Sequence, residues 1–235
     1  MYDKNFYKPN DPWSVDYQLI DLVGRNKRLL ELGCATGYMS EYFERECGCH
    51  VTGIERDAEA AERASKRCTK VIVGDLEGDK ICQELSGQEF DVILAASVIV
   101  ALRDPERVMR KLTTYLREGG YWVIAVPNIA HWSTRLMLFR GKWKYQERGI
   151  MDKICLRFFT KESLINLVKN LGLAPEVVRF SPVEPRFGIG RFSFTIGGIL
   201  RRIPFVGSAL LGCYYRMFCR LLAYQFIVQC RKGEV

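Results

Sequence analysis

The 235-residue sequence holds only two histidines, His50 and His131, so a metal site would have to be built from cysteine and carboxylate ligands. The nine cysteines do not offer one. Cys47-Gly48-Cys49 is spaced too tightly for a zinc knuckle and the others are scattered from Cys34 to Cys230, so no metal is expected. The same scatter excludes a small disulfide scaffold. Low-complexity tracts are absent, and 48% hydrophobic with 26% charged residues excludes extended disorder. No uncharged run reaches the roughly 20 residues of a spanning helix, because Arg216 and Arg220 interrupt the candidate region. No basic, apolar leader opens the sequence, so a reducing cytoplasm is the expected location. Dense basic runs and arginine-glycine repeats are also missing. The net charge of +8 by itself admits nucleic acid, an anionic membrane surface or an anionic small molecule, and these absences make nucleic acid the weakest. With Arg135, Arg157 and Arg186 available an anionic small molecule is expected, and a membrane surface is less favoured.

What the sequence does have is an alternation of short apolar runs and helical patterns. Val15 to Val23 carries helical spacing with Ser14 as its cap. Arg28 to Leu32, Val51 to Ile54, Val71 to Val73, Phe90 to Ala96 and Tyr121 to Val126 read as buried strands. Between them, Tyr38 to Glu46 reads as a helix, and Asp57 caps another that runs through Ala58, Ala61 and Ala64. Asp104-Pro105 opens a third, expected to stop at Gly119-Gly120. This alternation predicts an α/β fold with a mostly parallel sheet and helices on both faces. Further on come a helix over Thr160 to Leu171, a strand over Pro175 to Phe180 and a last strand over Tyr224 to Cys230. The chain reads as a single domain: 1–27 an N-terminal arm and helix, 28–126 a ligand-binding core, and 127–235 a substrate-side half with an insert at 181–223.

The first strand runs into the order Glu31-x-Gly33-x-x-x-Gly37. A glycine-rich turn from strand to helix brings a ligand against bare backbone and a helix amino end. The dinucleotide pattern GxGxxG is not met, since its third glycine is missing and a carboxylate comes first. That carboxylate repels a pyrophosphate and favours a positively charged ligand. Glu55, closing the second strand, can accept from both hydroxyls of a ribose. Asp75, after the third, can accept from an exocyclic amine of a base. A charged amino-acid end, a ribose and an adenine, in that order, describe S-adenosylmethionine.

Leu30-Glu31-Leu32-Gly33-Cys34-Ala35-Thr36-Gly37, Val51-Thr52-Gly53-Ile54-Glu55 and Gly74-Asp75-Leu76, taken in order, resemble the class I S-adenosylmethionine-dependent methyltransferases. The resemblance runs from about Leu29 to Val126 and implies a Rossmann-like seven-stranded sheet whose last strand is antiparallel, which Tyr224 to Cys230 fits. It also implies that Glu31, Gly33, Cys34, Ala35 and Gly37 line the methionine part of the cofactor, Glu55 and Arg56 the ribose, and Asp75 and Leu76 the adenine. Ala96 and Ser97 would lie beside it. Ala35 stands where many relatives have glycine. Where relatives often read Asp-Val-Leu-Glu-His-Leu after the fourth strand, this chain has Ser97-Val98-Ile99-Val100-Ala101-Leu102, so an acid and a histidine used by some subfamilies are absent. Pro127-Asn128-Ile129-Ala130-His131-Trp132 and Leu156-Arg157-Phe158-Phe159-Thr160 are similar to a subgroup that includes cell-surface, ubiquinone-type and natural-product methyltransferases.

These readings lead to methyl transfer onto a small-molecule acceptor, most simply an oxygen (carboxylate or hydroxyl) of an anionic metabolite or natural-product intermediate. The alternatives are a peripheral membrane methyltransferase acting on a lipid or quinone, which the insert would suggest, and a non-catalytic S-adenosylmethionine-binding protein, which the missing acid and histidine near Ala101 would suggest. His131 is the candidate base, with capping or packing as its alternative role. Trp132, Arg135 and Arg157 are expected against the acceptor, and Tyr7 and Trp13 belong to an aromatic arm able to close over it. The insert reads as a packed lid in preference to an interfacial helix.

Overall fold

The computed structural model describes residues 11–182 and 221–232. Seven strands form one sheet in the order β3-β2-β1-β4-β5-β7-β6. β1 (Arg28–Leu32), β2 (His50–Glu55), β3 (Lys70–Val73), β4 (Phe90–Ala96) and β5 (Leu116–Pro127) pair in parallel. β7 (Gln225–Lys232) runs antiparallel between β5 and β6 (Leu173–Ser181). The fold class and the antiparallel last strand are those expected.

Successive side chains of a strand point to opposite faces, and here both faces are covered. Leu29, Val92, Leu94 and Val123 cluster with Leu19 and Leu22 of α1 (Val15–Val23) and with Met39 and Phe43 of α2 (Tyr38–Arg45). Leu30, Ile93, Trp122 and Ile124 cluster instead with α4 (Lys80–Leu85), α5 (Pro105–Thr113) and α7 (Lys161–Asn170), through Ile81, Met109 and Leu164. Side-chain caps start several helices: Ser14 Oγ accepts from the Tyr17 amide at 3.0 Å, Asp57 caps α3 (Ala58–Ala64), and Thr160 with Ser163 forms a capping box on α7. Each such cap stabilises its helix by about 1 kcal/mol.

Two features depart from the sequence reading. α5 ends at Thr113 rather than at Gly119-Gly120. Leu116 already pairs with Phe90, and the register then skips to Tyr121 opposite Val92, so the two glycines form an irregularity inside β5. A Cβ on Gly120 would stand 3.0 and 3.1 Å from the Arg117 and Asp91 carbonyl oxygens, a tight fit that favours glycine there. Two helices also went unread, α4 and α6 (Trp132–Phe139). Residues 183–220 of the insert lie outside the described residues, so the choice between lid and interfacial helix does too. Its two ends meet: the Tyr224 amide donates to the Ser181 carbonyl at 2.8 Å.

The chain winds from β1 outward to β3, then returns to β4 on the other side of β1. The crevice beyond the carboxyl ends of β1 and β4 is therefore the topological switch point.

Candidate active site

At that crevice β1 turns through residues 33–37 into α2. Gly33, Ala35 and Gly37 adopt φ of 66°, 49° and 71°, the left-handed region. Gly37 has a second constraint, since a Cβ there would stand 2.9 Å from Ala64 Cα. Ala35 holds its conformation at a cost of about 1–2 kcal/mol, and the surrounding hydrogen bonds offset it. Gly33 and Cys34 amides both donate to the Ile54 carbonyl (2.8 and 3.1 Å), Arg67 Nη1 donates to the Thr36 carbonyl (3.0 Å), and the Ala35 amide donates to Glu55 Oε2 (2.9 Å).

Glu55 does more than end β2. Its Oε1 accepts from the Arg56 and Asp57 amides at 2.8 and 2.9 Å, so one carboxylate joins the strand end to the glycine turn. Arg56 enters through its backbone. Asp75 is exposed and its Oδ1 accepts from the Glu77 amide at 2.9 Å, closing a turn over buried Leu76. Ala96 ends β4, and Ser97 (φ 59°) donates its amide to the Ala125 carbonyl at 2.8 Å.

Glu31 is only 5% exposed, and Ser40 Oγ donates to its Oε2 at 2.5 Å. Loss of water pushes its carboxyl up to about 7, with the Ser40 hydrogen bond pulling the other way. Cys34 is buried beneath the turn, its Sγ 2.6 Å from where a Cβ on Gly53 would sit. The neighbouring Cys68 thiol and burial push the Cys34 thiol far up.

The sheet thus brings Glu31, the glycine turn, Glu55, Asp75 and Ala96-Ser97 to one edge. A second group follows β5. His131 is buried and caps α6: its Nδ1 lies 2.8 Å from Ser133 Oγ, its ring packs edge-on against Tyr224, and burial pulls its pKa down to about 4. The Trp132 ring lies beside it, tilted by 47° with centroids 5.7 Å apart. The Trp13 carbonyl accepts from Ser181 Oγ at 2.6 Å, which holds the arm at the end of β6. Arg135 and Arg157 donate to the backbone carbonyls of Ala130 and Arg103. Tyr7 lies outside the described residues. Among the described residues no three His, Cys, Asp or Glu are grouped to hold a metal, and no helix is long and apolar enough to cross a membrane.

Three neighbours escaped the sequence reading: Ser40, Arg67 and Val98, whose Cγ2 is 3.0 Å from a Cβ built on Gly33. Ser40 left a usable signal. It shares the inner face of α2 with Phe43, and a hydroxyl there implies a buried polar partner.

This constellation suits S-adenosylmethionine: bare backbone and a buried carboxylate for a cationic amino-acid end, and acids past β2 and β3 for hydroxyl and amine donors. The sheet order and its switch-point turn are those of a class I S-adenosylmethionine-dependent methyltransferase, and that is the class of this enzyme. More narrowly, the model of the family described as "Methyltransferase domain" matches residues 17–177, and the chain belongs to that family. It is 26% identical over 173 residues to a ubiquinone biosynthesis O-methyltransferase of Aeromonas salmonicida, covering 70% of this chain and 71% of that protein. The match to the corresponding protein of Ruegeria pomeroyi spans 60% of its length. A human thiol S-methyltransferase, TMT1B, is 25% identical over 185 residues, 72% of each chain. Among solved structures, a SAM-dependent methyltransferase from Archaeoglobus fulgidus superposes with a TM-score of 0.64 at 13% identity, covering 97% of both chains, a likeness of fold alone.

Proposed function

We propose that this methyltransferase acts on an oxygen of a small anionic acceptor, a carboxylate or a readily ionised hydroxyl. The observation that carries the reading is His131. Its Nδ1 is engaged in capping α6 and its basicity is lowered by burial, so the histidine of this region is a poor general base. An acceptor that is already ionised needs none. When bound, S-adenosylmethionine supplies a methyl group activated by its sulfonium, so the protein's task is alignment and exclusion of water.

In this reading the turn from Gly33 to Gly37, with Glu31, receives the methionine part, Glu55 and Arg56 the ribose, Asp75 and Leu76 the adenine, and Ala96 and Ser97 flank it. Trp132, Arg135, Arg157 and the arm residues Tyr7 and Trp13 make the acceptor side. The ubiquinone relatives, named as O-methyltransferases, support oxygen as the methylated atom.

The test is a panel of carboxylate, phenol and thiol acceptors with wild type and His131→Asn, a variant that keeps a cap acceptor for α6. Turnover giving an ester or ether, and retained within about threefold in the variant, is the expected result. A loss of about 100-fold or more with cofactor binding intact would make His131 the base, and exclusive methylation of thiols would replace oxygen by sulfur.

A further inference from the structure

α6 buries almost nothing. Thr134 is its one buried residue, while Trp132, Leu136 and Phe139, at i, i+4 and i+7, are 36%, 38% and 89% exposed. In a globular protein that stripe ordinarily faces the core; here it faces out. The exposed apolar series continues with Leu138, Trp143 and Tyr145. The segment that follows α6 is firmly built: the Lys142 amide donates to the Met137 carbonyl, the Gln146 amide to Met151, and the Lys153 amide to Gln146, over buried Ile150 and Met151. Trp143 is anchored edge-on against Phe158 at 5.5 Å and Tyr145 at 6.2 Å.

Charge around this stripe has one sign. Arg135, Arg140, Lys142, Lys144 and Arg148 are exposed between residues 132 and 148, against the single acid Glu147, which is itself paired with Lys153. A nucleic acid would use the cations and leave Leu138 and Phe139 in water, whereas a soluble protein partner would have to supply an acidic rim around an apolar centre. Large apolar and aromatic side chains set among cations match a surface that is anionic outside and hydrocarbon beneath.

We propose that α6 and residues 140–148 form a docking surface for an anionic lipid bilayer, with Leu136, Phe139 and Trp143 entering the headgroup boundary and Arg140, Lys142 and Lys144 meeting the headgroups. This surface uses none of the residues assigned to the cofactor, and it holds whatever the acceptor. Since His131 caps α6, docking would bring the acceptor side of the enzyme to the lipid surface.

The experiment is co-sedimentation of the full chain with phosphatidylcholine vesicles, with or without about 30% phosphatidylserine. The variants are Leu136→Ser with Phe139→Ser, and Arg140→Glu with Lys142→Glu. All four positions are exposed, so unchanged thermal midpoint and cofactor affinity certify the fold. Expected is partition onto the anionic vesicles only, weakened by salt and lowered about tenfold or more in either variant pair. A blue shift of tryptophan emission on vesicle addition should be reduced in Trp143→Phe, with any remainder from Trp132 of the same stripe, while sedimentation persists. The proposal is overturned by absence of partition, by equal partition onto neutral vesicles, or by partition that neither variant pair alters. It is overturned equally by a homodimer in sedimentation velocity that Leu136→Ser with Phe139→Ser dissociates, without any vesicle binding by the wild type.

Discussion

Replacing Glu31 by glutamine keeps the size of the side chain and its bond from Ser40 while removing one titration, so it isolates the effect of a buried charge. The carboxyl stands at about 7 against a reference of 4.5. Across that window the folded chain keeps a proton that the unfolded chain has released. Stability must therefore fall as pH rises from about 4.5 through about 7 and level off above it. A shift of that size corresponds to about 3 kcal/mol in full, of which about 2 kcal/mol is lost between about pH 5.5 and pH 8.5. Urea unfolding of wild type and Glu31→Gln at those two pH values gives a double difference in which every shared titrating group cancels. The wild type should lose about 2 kcal/mol more than the variant, or about 4–8 °C of thermal midpoint for a chain of this size. A double difference below about 0.5 kcal/mol would refute the reasoning, because Glu31 would then be ionised in the folded state at little cost.

The same carboxyl makes a prediction about the ligand. If the cationic end of S-adenosylmethionine binds beside Glu31, it favours ionisation, so binding near pH 7 should release protons, seen as a buffer-dependent calorimetric enthalpy that Glu31→Gln abolishes. Glu55→Ala removes the acceptor of three backbone amides and should lower cofactor affinity by about tenfold or more and stability by about 1–3 kcal/mol, measured by calorimetry and denaturation. Gly37→Ala adds both a strained φ and a 2.9 Å approach to Ala64 Cα, and should cost more than about 2 kcal/mol by urea unfolding.

Much of the parallel half was legible because buried strands begin and end where their apolar runs do: Arg28 to Leu32 and Phe90 to Ala96 match to the residue. α4 is short, and Asp79 makes no side-chain cap bond, so it lacks both length and a start signal. α6 was missed because periodicity assumes an inward apolar stripe, and this helix turns its stripe to solvent. Gly119-Gly120 misled because the residues that stop helices also accommodate strand irregularities. At the site, the order of acids and glycines was readable, but their partners were not. Ser40 lies nine residues beyond Glu31, and that Glu55 gathers amides from two separate loops is a fact of three-dimensional closure. His131 could be read either as base or as cap from sequence; its engagement with Ser133 needed the fold.

The bond between Tyr224 and Ser181 has a consequence for how such an enzyme can diversify. β6 and β7 are neighbours that already pair through Ser181 and Gln225, so the stretch between them hangs from a closed hairpin. For a flexible loop closed at such a joint, doubling the length changes the closure cost by only about 0.6 kcal/mol. Segments of quite different size and chemistry can therefore be exchanged at this one joint, provided that Ala223 and Tyr224, whose carbonyls accept from Asn128, are kept in place.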